Sequence, residues 1–395
     1  MLALLLLFAI IVVLVRFKLP IGVALLVGAI FLGVYHFQFS ERFWQMLYDS
    51  LINLKSWRLV ITVALILTFA HIYESAGYVK KMVASLQTFL PPKWVARVAP
   101  SIIGLLPMPG GAMVSAPLVK ELGANSDITP EQFTALNYWW RHVWETTWPL
   151  YPSIILAAAV LKVSVWDVAI INFPISVACI LSGLILKKVG SSHRKAGGLD
   201  FGALLGSLWP IATIVLLGLV FRVDLIISVM LVNLTVILIR RVSRPDVIKG
   251  LKNGFSPSIM LLIFGVMTLM YAIENTGAAA IFYNELLYYH IPSVMVVFTV
   301  PFVVGFLTGI TSAYIGVGFP VVLPLLGAGD LTYKAGMLLA FAGGFMGVMA
   351  SPVHLCLVLT NDYFKASLAR TLSLLILPII LTSLISWLLA TTIYR

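Results

Sequence analysis

An arginine, a histidine and a glutamate fall within five residues of one another in the run Asn137-Tyr138-Trp139-Trp140-Arg141-His142-Val143-Trp144-Glu145-Thr146-Thr147-Trp148-Pro149-Leu150-Tyr151-Pro152, with membrane-grade sequence on either side. A helix starting near residue 129 carries Arg141 ~18 Å along its axis, close to a bilayer midplane. A charge at that depth is expensive, and such residues usually serve substrate or ion pathways. Glu145 lies one turn further on, so an ion pair that only holds the helix in its bundle is geometrically natural. The sharper alternative gives Arg141, together with Asn137, to a substrate anion and leaves Glu145, with or without His142, to carry a proton. Pro149 and Pro152 then unwind the helix so that carbonyls near Thr146 and Thr147 face a cation or substrate. His142 and Glu145 would suit a metal ion, but no second cluster of ligands is visible, so none is expected. Trp139, Trp140, Trp144 and Trp148 are too dense for one interface belt, and part of this cluster is expected to wall a substrate cavity.

Two further segments interrupt apolar sequence, Gly104-Leu105-Leu106-Pro107-Met108-Pro109-Gly110-Gly111 and Gly305-Phe306-Leu307-Thr308-Gly309-Ile310-Thr311-Ser312. Non-helical chain at membrane depth survives only when buried in protein or lining a wet cavity. The first tip is expected at 107–111, contributing Pro109, Gly110 and Gly111. The second, Thr308 to Gly318, offers Thr308, Gly309, Thr311 and Ser312. Helix N-termini after such tips present free N–H groups suited to a carboxylate. The competing account is close helix packing, for which Gly and Ser are common. In Ala350-Ser351-Pro352-Val353-His354 a proline break offers Ser351 as a substrate ligand and His354 as either a polar anchor or a proton carrier. The Gly343/Gly347 spacing just before it suits plain helix packing. Glu74 and Glu274 lie at helix ends, where solvation explains them well enough.

These residues must be positioned by membrane helices. A chain 61% hydrophobic and 10% charged, with mean hydropathy +1.05, falls outside the soluble class. Ten spans are expected, roughly 1–15, 19–36, 57–75, 133–161, 165–186, 205–221, 224–240, 256–275, 334–359 and 367–390, with re-entrant hairpins at 95–120 and 291–326. Met1 to Val15 lacks a basic n-region and a cleavage site, so it reads as a retained helix. Cys179 and Cys356 fall inside apolar spans and imply no disulfide. Placing the Arg16/Lys18 turn in the cytoplasm sends eighteen of the 26 Lys and Arg residues inside and seven outside, leaving Arg141 in the membrane. That bias follows the positive-inside rule. The net charge of +11 is thus topology, not a nucleic-acid surface, and both termini are expected outside a prokaryotic cytoplasmic membrane. Short amphipathic arms fit at Phe43, Leu47, Leu51 and Leu54, and at Val247, Ile248 and Leu251.

The interruptions recur. Glu74-Ser75-Ala76-Gly77 reappears as Glu274-Asn275-Thr276-Gly277 at an offset of 200, and Trp148-Pro149-Leu150-Tyr151 lies opposite Ser351-Pro352-Val353-His354 at 203. The expected fold is therefore all-α and polytopic. A first repeat, 1–195, holds the hairpin 95–120 and the broken helix 133–161. An inverted second repeat, 205–395, holds the hairpin 291–326 and the broken helix 334–359.

Five helices per half, with a re-entrant hairpin before a proline-broken helix, resembles the ion-transporter superfamily. That group includes divalent-anion/sodium symporters, gluconate and citrate permeases and the large membrane subunit of TRAP transporters. The symporters' paired Ser-Asn-Thr tips are absent, since the tips read Pro107-Met108-Pro109-Gly110 and Thr308-Gly309-Ile310-Thr311-Ser312. The chain looks like a separate prokaryotic branch with its own Arg141-His142…Glu145 signature. The resemblance implies an anionic substrate, a homodimer in the lipid bilayer, and elevator-type movement of hairpins and broken helices. The expected function is secondary transport of a small organic anion, a carboxylate, coupled to Na⁺ or H⁺ and with no cofactor besides that ion. A TRAP-type subunit working with a binding protein is the second transport reading. An intramembrane enzyme lacks its constellation here: there is no His-Glu-x-x-His, and no Gly-x-Ser-x-Gly with a facing base. A channel is disfavoured because inverted broken helices suit alternating access.

Overall fold

In hydrocarbon each backbone N–H and C=O must find its partner inside the protein, so apolar runs free of turn residues become helices. A computed structural model of the chain describes residues 2–89, 91–108, 111–123, 127–186, 201–327 and 331–394, and among these every regular element is helical. The first half runs α1 (Leu2–Arg16), α2 (Ile21–Phe37), α3 (Glu41–Ile52), α4 (Leu54–Ser75), α5 (Tyr78–Phe89), α6 (Pro92–Ile103), α7 (Ala112–Leu122), α8 (Pro130–His142), α9 (Pro152–Leu161) and α10 (Val165–Gly183). The second runs α11 (Phe201–Leu219), α12 (Leu225–Arg240), α13 (Arg244–Gly254), α14 (Pro257–Thr276), α15 (Ala278–Tyr288) and α16 (Ser293–Thr308). After it come α17 (Thr311–Ala313), a π-helical turn (Tyr314–Gly318), α18 (Phe319–Val322) and a short 3₁₀ turn. The chain closes with α19 (Tyr333–Ala350), α20 (Leu355–Phe364) and α21 (Leu368–Thr392).

Among the described residues six helical stretches are long and apolar enough to cross a membrane, and the chain is a multi-pass membrane protein. Several spans expected from the sequence are shorter than that. The 15 residues of α1 and 16 of α12 reach about 22–24 Å at 1.5 Å per residue, short of the ~30 Å hydrocarbon core. Two helices absent from the sequence reading, α5 and α15, follow Gly77 (φ +79°) and Gly277 (φ +64°). A left-handed glycine ends each preceding helix and turns the chain into the next one, which accounts for the repeated Glu-x-x-Gly better than any role for its glutamates. Glu74 is exposed, and Glu274 pairs with Lys162 at 2.9 Å.

The arms α3 and α13 each lie on the long helix of the other half. Ser50 Oγ meets Thr268 Oγ1 at 3.0 Å, and Thr68 Oγ1 donates to the Gly250 carbonyl at 3.2 Å. These two contacts exchange under the offset of 200. Ser182 Oγ also lies 2.6 Å from Thr382 Oγ1, its own counterpart at that offset, where α10 crosses α21.

Nearly all of α19 is buried, so it forms the centre of the molecule. A Cβ added to Gly343 or Gly347 would come within 2.1 Å of the Phe298 or Phe302 carbonyl of α16. That pair serves close helix packing. The second tip is tighter than Thr308 to Gly318: Gly309 (φ +63°) ends α16, Ile310 is extended, and helix resumes at Thr311. Gly316 and Gly318 belong to the π-helical turn.

Candidate functional site

A capping box between Thr129 and Gln132 starts α8, with Pro130 in its first turn, so the helix begins where its cap dictates. It ends at His142, and residues 143–151 turn before Pro152 opens α9. The break thus starts well before Pro149. Arg141 sits on the last turn of α8, 3% exposed. Its Nη1 donates to Tyr151 Oη at 2.8 Å and its Nη2 to the Leu106 carbonyl at 3.1 Å. Tyr151 Oη passes a hydrogen bond on to the Gly104 carbonyl at 2.5 Å. A Cβ on Gly111 would lie 2.5 Å from Nη2, so the guanidinium occupies the space that glycine leaves open. Arg141 Nε has no partner among the described residues.

No carboxylate oxygen lies within 4 Å of Arg141 among those residues. Glu145 turns elsewhere: its Oε1 accepts from Thr311 of the second half, and its Oε2 is 3.9 Å from His142 Nε2. Two charged-group hydrogen bonds, each worth about 1.5–3 kcal/mol, roughly match the several kcal/mol it takes to desolvate a guanidinium. Arg141 is therefore held in place by two neutral acceptors, which leave its charge unneutralised.

The second half contributes His354, the N-cap of α20 and 8% exposed. Its Nδ1 contacts the Gly309 carbonyl at 2.7 Å. His142 Nδ1 contacts the Tyr138 carbonyl at 2.6 Å. The two Nε2 atoms face each other at 3.3 Å, and the Tyr138 ring lies beside both imidazoles. Tyr138 Oη reaches the Val348 and Met349 carbonyls of α19, both at 3.4 Å. A cavity of about 320 Å³ brings together Arg141, His142, Glu145, Tyr151, Gly309, Thr311, Ser312, His354 and Cys356. A larger one of about 630 Å³, bordered by His71, Glu74, Gly111 and Lys252, shares Leu67, Pro107 and Met108 with it.

Other expected site residues lie apart. Asn137 Nδ2 donates to the Ala112 carbonyl at 2.9 Å, tying α8 to α7. Thr146 Oγ1 lies 3.5 Å from Ser176 Oγ, and Thr147 Oγ1 donates to the Ala169 carbonyl at 2.5 Å. Both hydroxyls are spent on α10. Thr308 Oγ1 bonds back to Val304, and Ser351 Oγ donates to the Phe306 carbonyl at 2.6 Å. Pro109 and Gly110 lie outside the described residues.

The tryptophans do not wall the Arg141 cavity. Trp140, Trp144 and Trp148 line a separate, largely apolar crevice of about 820 Å³ against α10 and α11, where ring faces find apolar neighbours. Arg97, assigned from the sequence to a cytoplasmic end, borders that crevice and is 2% exposed. Its Nη2 donates to the Leu186 carbonyl at 3.2 Å, and its guanidinium lies over Trp94 and Trp140. Among the described residues Arg97 and Arg141 are therefore both buried. Aromatic stacking next to a cation was the available signal, from Trp94 three residues before it. Tyr151, Tyr138 and Cys356 were missed as well. Tyr151 sits opposite His354 in the repeat, and Cys356 is two residues beyond His354.

A family model described as "Protein of unknown function (DUF401)" matches residues 1–393. No curated protein matches the sequence. Among solved structures, the crystal structure of the YdaH transporter of Alcanivorax borkumensis, described as revealing an unusual topology, superposes with a TM-score of 0.65. The identity is 13%, and 90% of each chain is covered. That likeness is one of fold.

Proposed function

We propose that this chain, which belongs to the DUF401 family, is a secondary active transporter of a small organic anion, a carboxylate, coupled to Na⁺ or H⁺. The observation that carries the reading is Arg141: a buried guanidinium, without a carboxylate partner among the described residues, at the junction of two interrupted helices and two tips. A fixed cation there offsets the desolvation of an incoming carboxylate. The shared fold with a protein described as a transporter agrees with this.

The mechanism we infer is alternating access by inverted repeats of elevator type, with α6–α7 and the α16–α18 segment as re-entrant hairpins. Three observations support the inversion. The arm contacts exchange between halves, and Ser182 meets its own counterpart Thr382, as residues beside a twofold axis do. Helix ends also meet in the pairs that the positive-inside count requires. Arg58 with Asp224 and Tyr333 with Leu161 join outer ends, while Arg240 with Ala76 and Glu131 with Ser367 join inner ones. The larger cavity borders Lys252 on the inner side, so this conformation faces the cytoplasm. The protein is a homodimer through spans in 1–36 and 205–240, in a prokaryotic cytoplasmic membrane with both termini outside.

A ligand-stabilisation screen of the purified protein tests the reading, across carboxylates with Na⁺ or Li⁺ and at several pH values. A carboxylate is expected to raise the melting temperature of the wild type and to do so far less for Arg141→Lys, since a point charge does not reproduce bidentate geometry. Equal stabilisation of both proteins would remove Arg141 from the site. Failure of every carboxylate in the wild type would end the anion reading.

A further inference from the structure

The two imidazoles in the cavity pose a chemical problem. Each Nδ1 faces a backbone carbonyl, Tyr138 at 2.6 Å for His142 and Gly309 at 2.7 Å for His354. A carbonyl only accepts, so each Nδ1 carries the hydrogen and each Nε2 presents a lone pair. Those lone pairs confront each other at 3.3 Å with no proton of their own between them. Two acceptors at that distance need a cation.

We infer that this cavity binds one divalent transition-metal ion of the zinc type, through Nε2 of His142, Nε2 of His354, Sγ of Cys356 and the free carboxylate oxygen of Glu145. Tetrahedral bonds of ~2.0–2.1 Å to two nitrogens place those nitrogens about 3.3–3.4 Å apart, which is the spacing observed. The nitrogen atoms and Cys356 Sγ all lie within 4.8 Å of one another. Glu145 Oε2, 3.9 Å from His142 Nε2, lies outside that three-atom cluster and has to move inward to serve as the fourth ligand.

The surrounding hydrogen bonds match what such ligands require. Zinc-bound histidines donate their other N–H to a carbonyl or carboxylate, and bound carboxylates are themselves hydrogen-bonded. Both Nδ1 atoms meet that condition, and Thr311 holds the remaining oxygen of Glu145. Imidazole, thiolate and carboxylate together suit zinc-like ions, whereas Na⁺ and Mg²⁺ favour all-oxygen sets. The Arg141 guanidinium borders the same cavity and opposes a cation. A thiolate and a carboxylate offset it, and with the divalent ion the site keeps a single net positive charge. His142 and Glu145 come from one half and His354 and Cys356 from the other, so the ion would join the two helix breaks.

The inference stands independently of the anion reading. Its test uses the full chain, purified in detergent with any polyhistidine tag removed and metal stripped by a chelator, and titrated with Co²⁺. One equivalent should bind with tetrahedral d–d absorption and a thiolate-to-cobalt charge-transfer band, and Zn²⁺ should displace it. Cys356→Ser should lose the charge-transfer band yet retain d–d absorption. His142→Gln and His354→Gln should each weaken binding by about tenfold or more. No Co²⁺ binding to monodisperse wild-type protein overturns the proposal and would leave a proton shared between the imidazoles. Unchanged affinity in His354→Gln, or a charge-transfer band that survives Cys356→Ser, overturns it too. Carboxylate stabilisation of the stripped protein is read separately, so loss of either proposal leaves the other standing.

Discussion

At or beside each helix break, two side chains donate to carbonyls near the end of the helix that leads into the neighbouring tip. In the first half Tyr151 donates to Gly104 and Arg141 to Leu106. In the second His354 donates to Gly309 and Ser351 to Phe306. Tyr151 and His354 are counterparts at the offset of 203. The scheme is thus shared, while the donors differ: a phenol and a guanidinium in one half, an imidazole and a hydroxyl in the other. Only the first anchor places a permanent charge in the cavity. The comparison separates two jobs that the sequence motif merges. Anchoring a tip needs any donor, whereas the proposed attraction of an anion would rest on Arg141.

The strongest way to break this comparison is to remove the charged anchor. Arg141→Ala leaves the Leu106 carbonyl and Tyr151 hydroxyl short of a partner and Glu145 without a nearby cation. Two hydrogen bonds from a charged donor are lost, each worth about 1.5–3 kcal/mol, so a loss of about 3–5 kcal/mol is expected. His354→Ala, in metal-free protein, should cost about 1–3 kcal/mol through the orphaned Gly309 carbonyl. Denaturant or thermal unfolding of both variants checks the order, and equal losses would abolish the asymmetry. A double-mutant cycle refines it. Arg141 and Glu145 make no direct ion pair among the described residues, so their coupling should fall toward the lower end of the roughly 0.5–3 kcal/mol seen for neighbouring groups. A coupling near the top of that range, with anion stabilisation intact in an uncharged Arg141→Met/Glu145→Gln protein, would mean the two residues are purely structural.

How much of this was legible follows from what each signal depends on. Apolar periodicity and proline position are local, so many helices and a break near Pro149 and Pro152 could be read from the sequence, whereas its start just after His142 could not. α5 and α15 were hidden because each starts within a few residues of another helix and is too short and mixed to read as a span. The hydroxyls of Thr146 and Thr147 look free in one dimension, while α10 takes both in three; the sequence reading drew on the carbonyls near them, which those bonds leave untouched. The pairing of His142 with His354 spans 212 residues and brings together groups that are not repeat counterparts. No offset in the sequence could have announced it.

A middle-sized effect isolates the phenol. Tyr151→Phe keeps the ring and removes the hydroxyl that links Arg141 to Gly104. A hydrogen bond to a charged group is lost, so about 1.5–3 kcal/mol of destabilisation is expected. The freed guanidinium should also reduce the anion-induced thermal shift. An unchanged shift with reduced stability would assign Tyr151 to anchoring alone.

The smallest expected effect is at Ser351, and it sharpens the comparison from the neutral side. Its Oγ donates to the carbonyl of Phe306 at 2.6 Å and accepts from the Val353 N–H at 3.4 Å. Phe306 lies in the last turn of α16, where carbonyls lack helical donors, so the hydroxyl supplies from another segment a bond the helix cannot make. Both partners are neutral, and a net contribution of about 1 kcal/mol follows. Ser351→Ala should therefore lower the melting temperature slightly and leave carboxylate stabilisation and Co²⁺ binding unchanged, because nothing charged has moved. A loss of anion stabilisation in this variant would show that Ser351 contacts the substrate itself. The second tip would then recognise the anion as directly as Arg141 does, and the division between a charged, recognising half and a neutral, anchoring half would fail.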